Sequence, residues 1–364
     1  MKLYCYSGSL SLLFSGVLGA LFVVTSAGGA DAGEYLIADR IGHRVLRYSE
    51  SGTFIGVVLD DPSLGTGNAM GGISALALSP DQSQLYVADR VGQRVAVYDY
   101  NGTSTSFAFN IFANGASTMQ VPAGILFSQD ASEVYVSSIG FTGMSDKVAQ
   151  FTPAGVSAGA DLSGGPATGR AGMAFDPLGR LLVTSFDFGG NGGVLRFNSG
   201  TNLFETLVAP AAELGGAANL LVIGDDLYVT AGTGGRLGSF DVNTGALDMS
   251  FGTGGYVSGL AFPASLALGP DGDSLLVGNL GGGFPNDPSN RIDEYDLDGN
   301  FLGIWANNTF AANFPMGMPG DTWFGFSEPT AIVHTTVIPE PAVFTMALVG
   351  MGLIAIFRGR SRQG

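Results

Sequence analysis

Cysteine is nearly absent from this 364-residue chain: Cys5 is the only one, so the fold is held by packing without an internal disulfide. Histidine is scarce too, with only His43 and His334, too few for a histidine-based metal or acid-base cluster. No G-x-S-x-G nucleophile elbow, P-loop or dinucleotide fingerprint occurs, and the Gly-Gly pairs read as turn glycines of β structure. Basic residues are the third shortage, 15 Lys plus Arg against 31 Asp plus Glu, for a net charge of −16. A chain this acidic repels phosphate backbones and anionic lipid, which excludes nucleic acid as a partner. What it has in plenty is glycine, 58 residues, and apolar side chains.

Both ends read as addresses. Lys2, an apolar stretch over residues 10–24 and Ala30-Asp31-Ala32 have the layout of a secretory signal peptide over 1–32, cleaved after Ala32. The expected partner there is the Sec export machinery. Cys5 precedes the apolar stretch, so it does not stand at a lipoprotein-type position. At the other end, Pro339-Glu340-Pro341 is followed by an uncharged run over 342–357 and then by Arg358, Arg360 and Arg362. As a helix, 16 residues rise about 24 Å, enough for a short membrane anchor whose arginines stay in the cytoplasm. This order closely resembles the PEP-CTERM sorting signal of exopolysaccharide-producing Gram-negative bacteria. The resemblance implies that Pro339, Glu340 and Pro341 are read by an exosortase-type processing enzyme and that the tail, 338–364, is removed. The expected route is export, transient inner-membrane contact through the C-terminal helix, then the cell surface or extracellular space. The body that remains carries 11 Lys and Arg against 29 Asp and Glu, a net charge of about −18.

The body is repetitive. Tyr35-Leu-Ile-Ala-Asp, Tyr86-Val-Ala-Asp, Tyr135-Val-Ser-Ser, Leu182-Val-Thr-Ser, Tyr228-Val-Thr-Ala and Leu276-Val-Gly-Asn recur at spacings of 50, 49, 47, 46 and 48 residues, counted from Ile37 to Val277. A small-and-apolar run such as Ile73-Ser-Ala-Leu-Ala-Leu precedes each copy after the first, and a run such as Arg94-Val-Ala-Val-Tyr follows. Four short strands per repeat, punctuated by Gly, Asp and Pro, predict an all-β fold, a six-bladed β-propeller over 33–337. Strands sandwiched between blades are buried on both faces and need not alternate strictly. The first copy lacks its inner strand and Pro329-Thr-Ala-Ile-Val-His334 lacks a blade, so the C-terminal strand is expected to complete blade one.

In the first two copies, Ile37-Ala-Asp-Arg-Ile-Gly-His-Arg-Val and Val87-Ala-Asp-Arg-Val-Gly-Gln-Arg-Val resemble the NHL repeat. That resemblance implies a six-bladed propeller that binds through one face. Gly42 and Gly92 stand where the repeat has asparagine, and the wording decays after blade two.

Within this frame, Asp39 with Arg44 and Asp89 with Arg94 bracket a turn that a charged hydrogen bond could close. The same turns, with Arg40, Arg90 and Asn279, make a possible ligand face for a glycan or protein. His43 is one variant of a repeat position occupied by Gln93 in blade two, which favours a structural role, and His334 falls on the closing strand. Glu294-Tyr-Asp296-Leu-Asp298-Gly299 begins like an EF-hand loop but reaches Trp305 at the twelfth position, where a Glu is required. The blade number also resembles gluconolactonase-like propellers, which use a divalent cation in the channel to polarise a lactone carbonyl. That resemblance implies Glu328, Asn219 and Asp176 as ligands and calcium as a possible cation. Pro122-Ala123-Gly124 departs from it where that family places an asparagine ligand. The expectation is therefore a non-enzymatic binding or scaffold module with no cofactor and no catalytic residue; a cation-dependent lactonase is the alternative.

Overall fold

Each sequence repeat folds into one antiparallel sheet. The computed structural model describes residues 33–335 apart from 41, 65–71, 91, 112–120, 140–146, 167, 188–189, 282–288 and 308–328. The signal peptide (1–32), the sorting signal (338–364) with its helix over 342–357, and Glu328 lie outside the described residues. Among the described residues no helix is long and apolar enough to cross a membrane.

Blade one contains β1 (Glu34–Asp39), β2 (Arg44–Ser49) and β3 (Phe54–Asp60). Blade two is β4 (Ile73–Leu78), β5 (Gln84–Asp89), β6 (Arg94–Tyr100) and β7 (Thr105–Ile111). Blade three is β8 (Pro122–Phe127), β9 (Val134–Ser138) and β10 (Val148–Phe151). Blade four is β11 (Gly169–Phe175), β12 (Leu181–Phe186), β13 (Gly192–Asn198) and β14 (Leu203–Ala211). Blade five is β15 (Ala217–Ile223), β16 (Asp226–Ala231), β17 (Arg236–Asp241) and β18 (Tyr256–Ser258). Blade six is β19 (Pro263–Leu268), β20 (Ser274–Leu280), β21 (Asn290–Asp296) and β22 (Phe301–Asn307). The last strand, β23 (Pro329–Thr335), pairs antiparallel with β1, placing Ile37 opposite Ile332 and Tyr35 opposite His334. Sheet order in blade one is therefore β23-β1-β2-β3, the expected clasp.

Inner strands β4, β8, β11, β15, β19 and β23 touch one another in sequence around a closed ring. Between each pair of neighbouring blades lies one apolar core. Leu36 and Ala38 of β1 pack with Leu85 and Val87 of blade two, while Tyr35 and Ile37, one residue out of phase, pack with Leu276 and Ile292 of blade six. Period-two alternation thus sends each strand's side chains into two different cores, and both need apolar residues. The architecture is an all-β six-bladed propeller, and the 3₁₀ turn Ala212–Leu214 is the one helix among the described residues.

Blade three departs from the repeat. Its described sheet has three strands, and segment 152–166 takes the fourth place with isolated bridges, Val148 to Leu162 and Phe151 to Ser157. Pro153 and Pro166 lack a ladder donor. Fully buried Arg170 holds the segment's end instead, donating to the Thr168, Gly164 and Pro166 carbonyls at 2.6, 2.7 and 2.9 Å.

Candidate binding site at the channel mouth

The same irregularity recurs near the start of each inner strand. Register slips by one residue between Ile73 and Ala75, Pro122 and Gly124, Arg170 and Met173, Ala217 and Asn219, and Pro263 and Ser265. The closing strand slips at the equivalent place, between Pro329 and Ala331. A bulge leaves one residue out of the ladder and re-aims it. Here the extra residues, among them Ser74, Ala123, Ala218 and Ala264, line a central cavity of about 650 Å³. They are small because six strands converge on the axis. Ser74 donates its hydroxyl to the Pro122 carbonyl and Ser137, on the second strand of blade three, to that of Ala171, so side chains tie neighbouring blades together. Deeper in the channel each blade contributes one larger apolar residue: Leu76, Ile125, Met173, Leu220, Leu266 and Ile332.

The mouth is formed by residues at, or just past, the end of the second strand in five of the blades. Arg40 and Arg90 line it on blades one and two, Ile139 on blade three, Phe186 on blade four and Leu280 on blade six. Gly72 brings the two arginines to one place. Its φ of +108° is a glycine conformation, and a Cβ there would meet the Arg40 carbonyl oxygen at 2.0 Å and Arg40 Cγ at 3.0 Å. On its other side the Arg90 amide donates to the Gly72 carbonyl at 3.2 Å. Across the ring Phe262 holds a φ of +56°, a left-handed backbone that costs an aromatic residue strain. Its ring lies where a Cβ on Gly232 would be, 2.7 Å from Phe262 Cε1, and so covers the mouth position of blade five.

The acidic partners of these turns face elsewhere. Asp39 and Asp89 are fully buried and accept from Arg44 at 2.8 Å and Arg94 at 3.0 Å, closing the turns as the repeat predicts. Each also accepts the amide of Gly42 or Gly92, at 3.2 and 2.9 Å. Side chains at 42 and 92 would run into those carboxylates, with Cβ 2.1 and 2.2 Å from Oδ2. That explains glycine in place of the NHL asparagine. His43 and Gln93 occupy the same left-handed turn position, φ 53° and 51°, in keeping with a structural role for that site. Outside Arg94, burial works against the charge on Asp61, yet hydrogen bonds from Ser63 and Tyr98 and the Arg94 charge keep its carboxyl below the usual range.

Of the other candidates, Asn279 takes the position of Asp39 and Asp89 in blade six. It is 1 % exposed and donates to Asp293 at 3.0 Å, and Asp293 in turn accepts from Arg291 at 2.7 Å, so the two-residue brace has become three. Asn219 lines the cavity; its Oδ1 accepts from the Leu220 amide at 2.8 Å, and its Nδ2 has no hydrogen-bond partner among the described residues. Asp176 is not brought to it. Asn219 packs on Gly172, whereas Asp176 follows the far end of β11, about 13 Å further along at strand rise. There it accepts the Leu178 and Arg180 amides and Arg180 Nε, at 2.9, 2.8 and 2.6 Å. His334 stacks near Tyr35 with centroids 4.7 Å apart, on the clasp. Asp296 closes its own turn through the Asp298 and Asn300 amides, as expected of a turn and not of an EF-hand. Ile139 and Phe186 fall within the loops 138–147 and 186–193 that the sequence assigns to a channel mouth, whereas Phe262 and Gly72 lie outside every such loop. Phe262 leaves one trace, standing before Pro263 where Gly72 stands before β4.

Comparison with solved structures identifies the fold and nothing finer. A chain of a nidogen/laminin complex superimposes with a TM-score of 0.59 at 14% identity, over 85% of this chain and 100% of that one. Hydrazine synthase from Kuenenia stuttgartiensis gives 0.52 at 17% identity, over 74% and 75% of the two chains. The PQQ-bound aldose sugar dehydrogenase of Streptomyces coelicolor gives 0.51 at 16%, over 68% and 84%. No protein-family model matches the chain. No curated protein matches it in sequence. One scaffold shared by a binding complex and two enzymes leaves function to the site itself.

Chemically, the described lining offers donors and apolar walls. It holds two guanidinium groups and a side-chain amide, and none of the described lining residues is a carboxylate, histidine or cysteine. Among the described residues no three His, Cys, Asp or Glu side chains gather as a metal site.

Proposed function

We propose that this chain is an exported, non-enzymatic binding propeller whose ligand, a glycan or a protein segment, seats in the channel mouth. The observation that carries this reading is the lining: a cavity of about 650 Å³, within the range of roughly 300–1,000 Å³ that buries a small ligand, whose walls mix apolar side chains with a nearly equal share of polar surface. Arg40, Arg90 and Asn219 can orient a ligand by donating hydrogen bonds. Among the described lining residues no general base stands beside a nucleophile, the arrangement that hydrolysis without a metal requires. The PEP-CTERM-like ends support delivery by the Sec machinery, sorting by an exosortase-type enzyme and residence at the cell surface or in the extracellular matrix.

The competing reading is a cation-dependent lactonase using Glu328, Asn219 and Asp176. Asn219 in the cavity favours it; Asp176, committed to the β11–β12 turn, does not. A glycan array probed with the full chain, alongside calcium calorimetry and a lactone-hydrolysis screen, separates the two. Saturable glycan binding without calcium or turnover is expected. Stoichiometric calcium binding with turnover lost in Glu328→Ala would replace this reading with the enzyme.

A further inference from the structure

We infer that the channel seats the N-acetyl group of an acetylated sugar, with its carbonyl oxygen on Asn219 Nδ2 and its methyl on the apolar ring just below. This rests on the binding reading above and names its ligand class. The observation that carries it is the way Asn219 is held. Its backbone amide donates to Thr230 Oγ1 at 3.0 Å, and that hydroxyl donates back to the Asn219 carbonyl at 3.3 Å. Its Oδ1 accepts from the Leu220 amide at 2.8 Å. Only oxygen can accept from an N–H, so this bond fixes which end of the side chain is Nδ2 and leaves that end to the cavity that Asn219 lines.

A side-chain amide in that place departs from the repeat. Just past the inner-strand bulge, the residue that resumes the ladder is Ala331 in blade one, Ala75 in blade two, Gly124 in blade three and Ser265 in blade six, whereas blade five has Asn219. Gly172 of blade four lies against it; a Cβ there would stand 2.6 Å from Asn219 Cα and 2.8 Å from its Oδ1. With no side chain at 172, the amide is not covered from that side. One residue deeper, Leu220 and its counterparts Leu266 and Ile332 belong to the apolar ring. A planar group with an acceptor oxygen and a methyl on the same carbon meets both features at once, and that is an acetamide. A hydroxyl would satisfy the donor and leave the apolar ring to water. A cation would need the asparagine oxygen, which is turned to the Leu220 amide. The cavity, about 650 Å³, has room for the sugar ring that carries the acetamide, and a sugar suits the exported reading.

Calorimetry and ligand-observed NMR on the full chain test this with four probes: N-acetylglucosamine, glucose, Nε-acetyl-lysine and calcium. Glucose keeps the ring and lacks the acetamide, so that comparison needs no change to the protein. N-acetylglucosamine is expected to bind about tenfold tighter than glucose, the value of one hydrogen bond and one buried methyl together. Asn219→Asp keeps the oxygen that caps the Leu220 amide and turns the donor into an acceptor. It should bring N-acetylglucosamine down to the affinity of glucose while the melting midpoint stays in place. Should that variant melt early, the comparison of the two sugars on the native chain still decides. Equal affinity for the two sugars would overturn the inference and leave the binding seat standing, as would a preference that survives Asn219→Asp. Tighter binding of Nε-acetyl-lysine would overturn the sugar. Stoichiometric calcium binding that Asn219→Asp tightens would overturn the donor role. No binding of any probe, with an empty glycan array, would remove both this inference and the reading beneath it.

Discussion

Removing Asp89 tests whether the repeated Asp–Arg pair is a brace or a surface ornament. Asp89 is fully buried, accepts Arg94 Nε at 3.0 Å and the Gly92 amide at 2.9 Å, and its partner's side chain is 22% exposed. Asp89→Ala forfeits one charge-assisted contact, about 1.5–3 kcal/mol, and orphans one amide, about 1 kcal/mol. Arg94 also reaches Ser63 at 3.3 and 3.4 Å, and its partial exposure lets water replace part of the loss. The net expectation is about 3 kcal/mol, at the low end for breaking a buried pair. For a body of this size that lowers the melting midpoint by roughly 6 °C. Asp89→Asn keeps an acceptor for the Gly92 amide and should lose about half as much. Arg94→Met strands the carboxylate, so Asp89→Ala with Arg94→Met should cost less than the two single changes added together. Thermal melts followed by far-UV circular dichroism read all four variants. A shift below about 1 °C for Asp89→Ala, or strict additivity in the double variant, would refute the argument.

Ile332→Ala thins the core that joins blade six to the clasp, where Ile332 is 8% exposed and packs with Ile37 and Leu276. It should cost about 2–4 kcal/mol in denaturant unfolding, against less than about 0.5 kcal/mol for Leu178→Ala on the exposed β11–β12 turn. Acid stability follows from the Ser-x-Asp-x-Ser turns: hydrogen bonds from Ser128 and Ser132 hold the Asp130 carboxyl down to about 2, and those from Ser79 and Ser83 hold Asp81 below its usual range. A depressed carboxylate stabilises the fold above its unfolded value, and that contribution is lost as pH falls through the folded one. The melting midpoint should therefore fall between pH of about 4 and about 2. Asp81→Asn with Asp130→Asn should flatten that slope; an unchanged slope would show that these turns do not couple to acid.

Blade number and closure were legible because they rest on burial that repeats. Tyr35, Ile37 and their counterparts face two neighbouring cores, so every copy must keep apolar residues at the same spacing. The Asp39 and Asp89 braces were legible for a similar reason: both blades use the same turn, and Gly42 and Gly92 mark the approach of the carboxylate. Blade three's missing fourth strand was harder to read, because the bridges of segment 152–166 follow no alternating pattern and Arg170 does the anchoring. The mouth was half legible. Arg40 and Arg90 stand out in the wording of the repeat, but the residues opposite them come from different loops and share no motif. Phe262 reaches its place through a left-handed backbone marked in the sequence only by its standing before Pro263, and the inner-strand bulges appear only once the ladders are paired.

Joining β23 to β1 also decides how the ring comes apart. Its contacts span up to 301 residues, from the Glu34 amide to the Thr335 hydroxyl, whereas the β1–β2 hairpin closes over a few. Contacts so distant form after the local hairpins. An element absent from the folding barrier governs the rate of opening and leaves the rate of assembly nearly untouched. With no disulfide to hold the ring shut, the lifetime of the folded molecule hangs on six registered residue pairs, and a change on β23 would be felt as faster loss and not as slower gain.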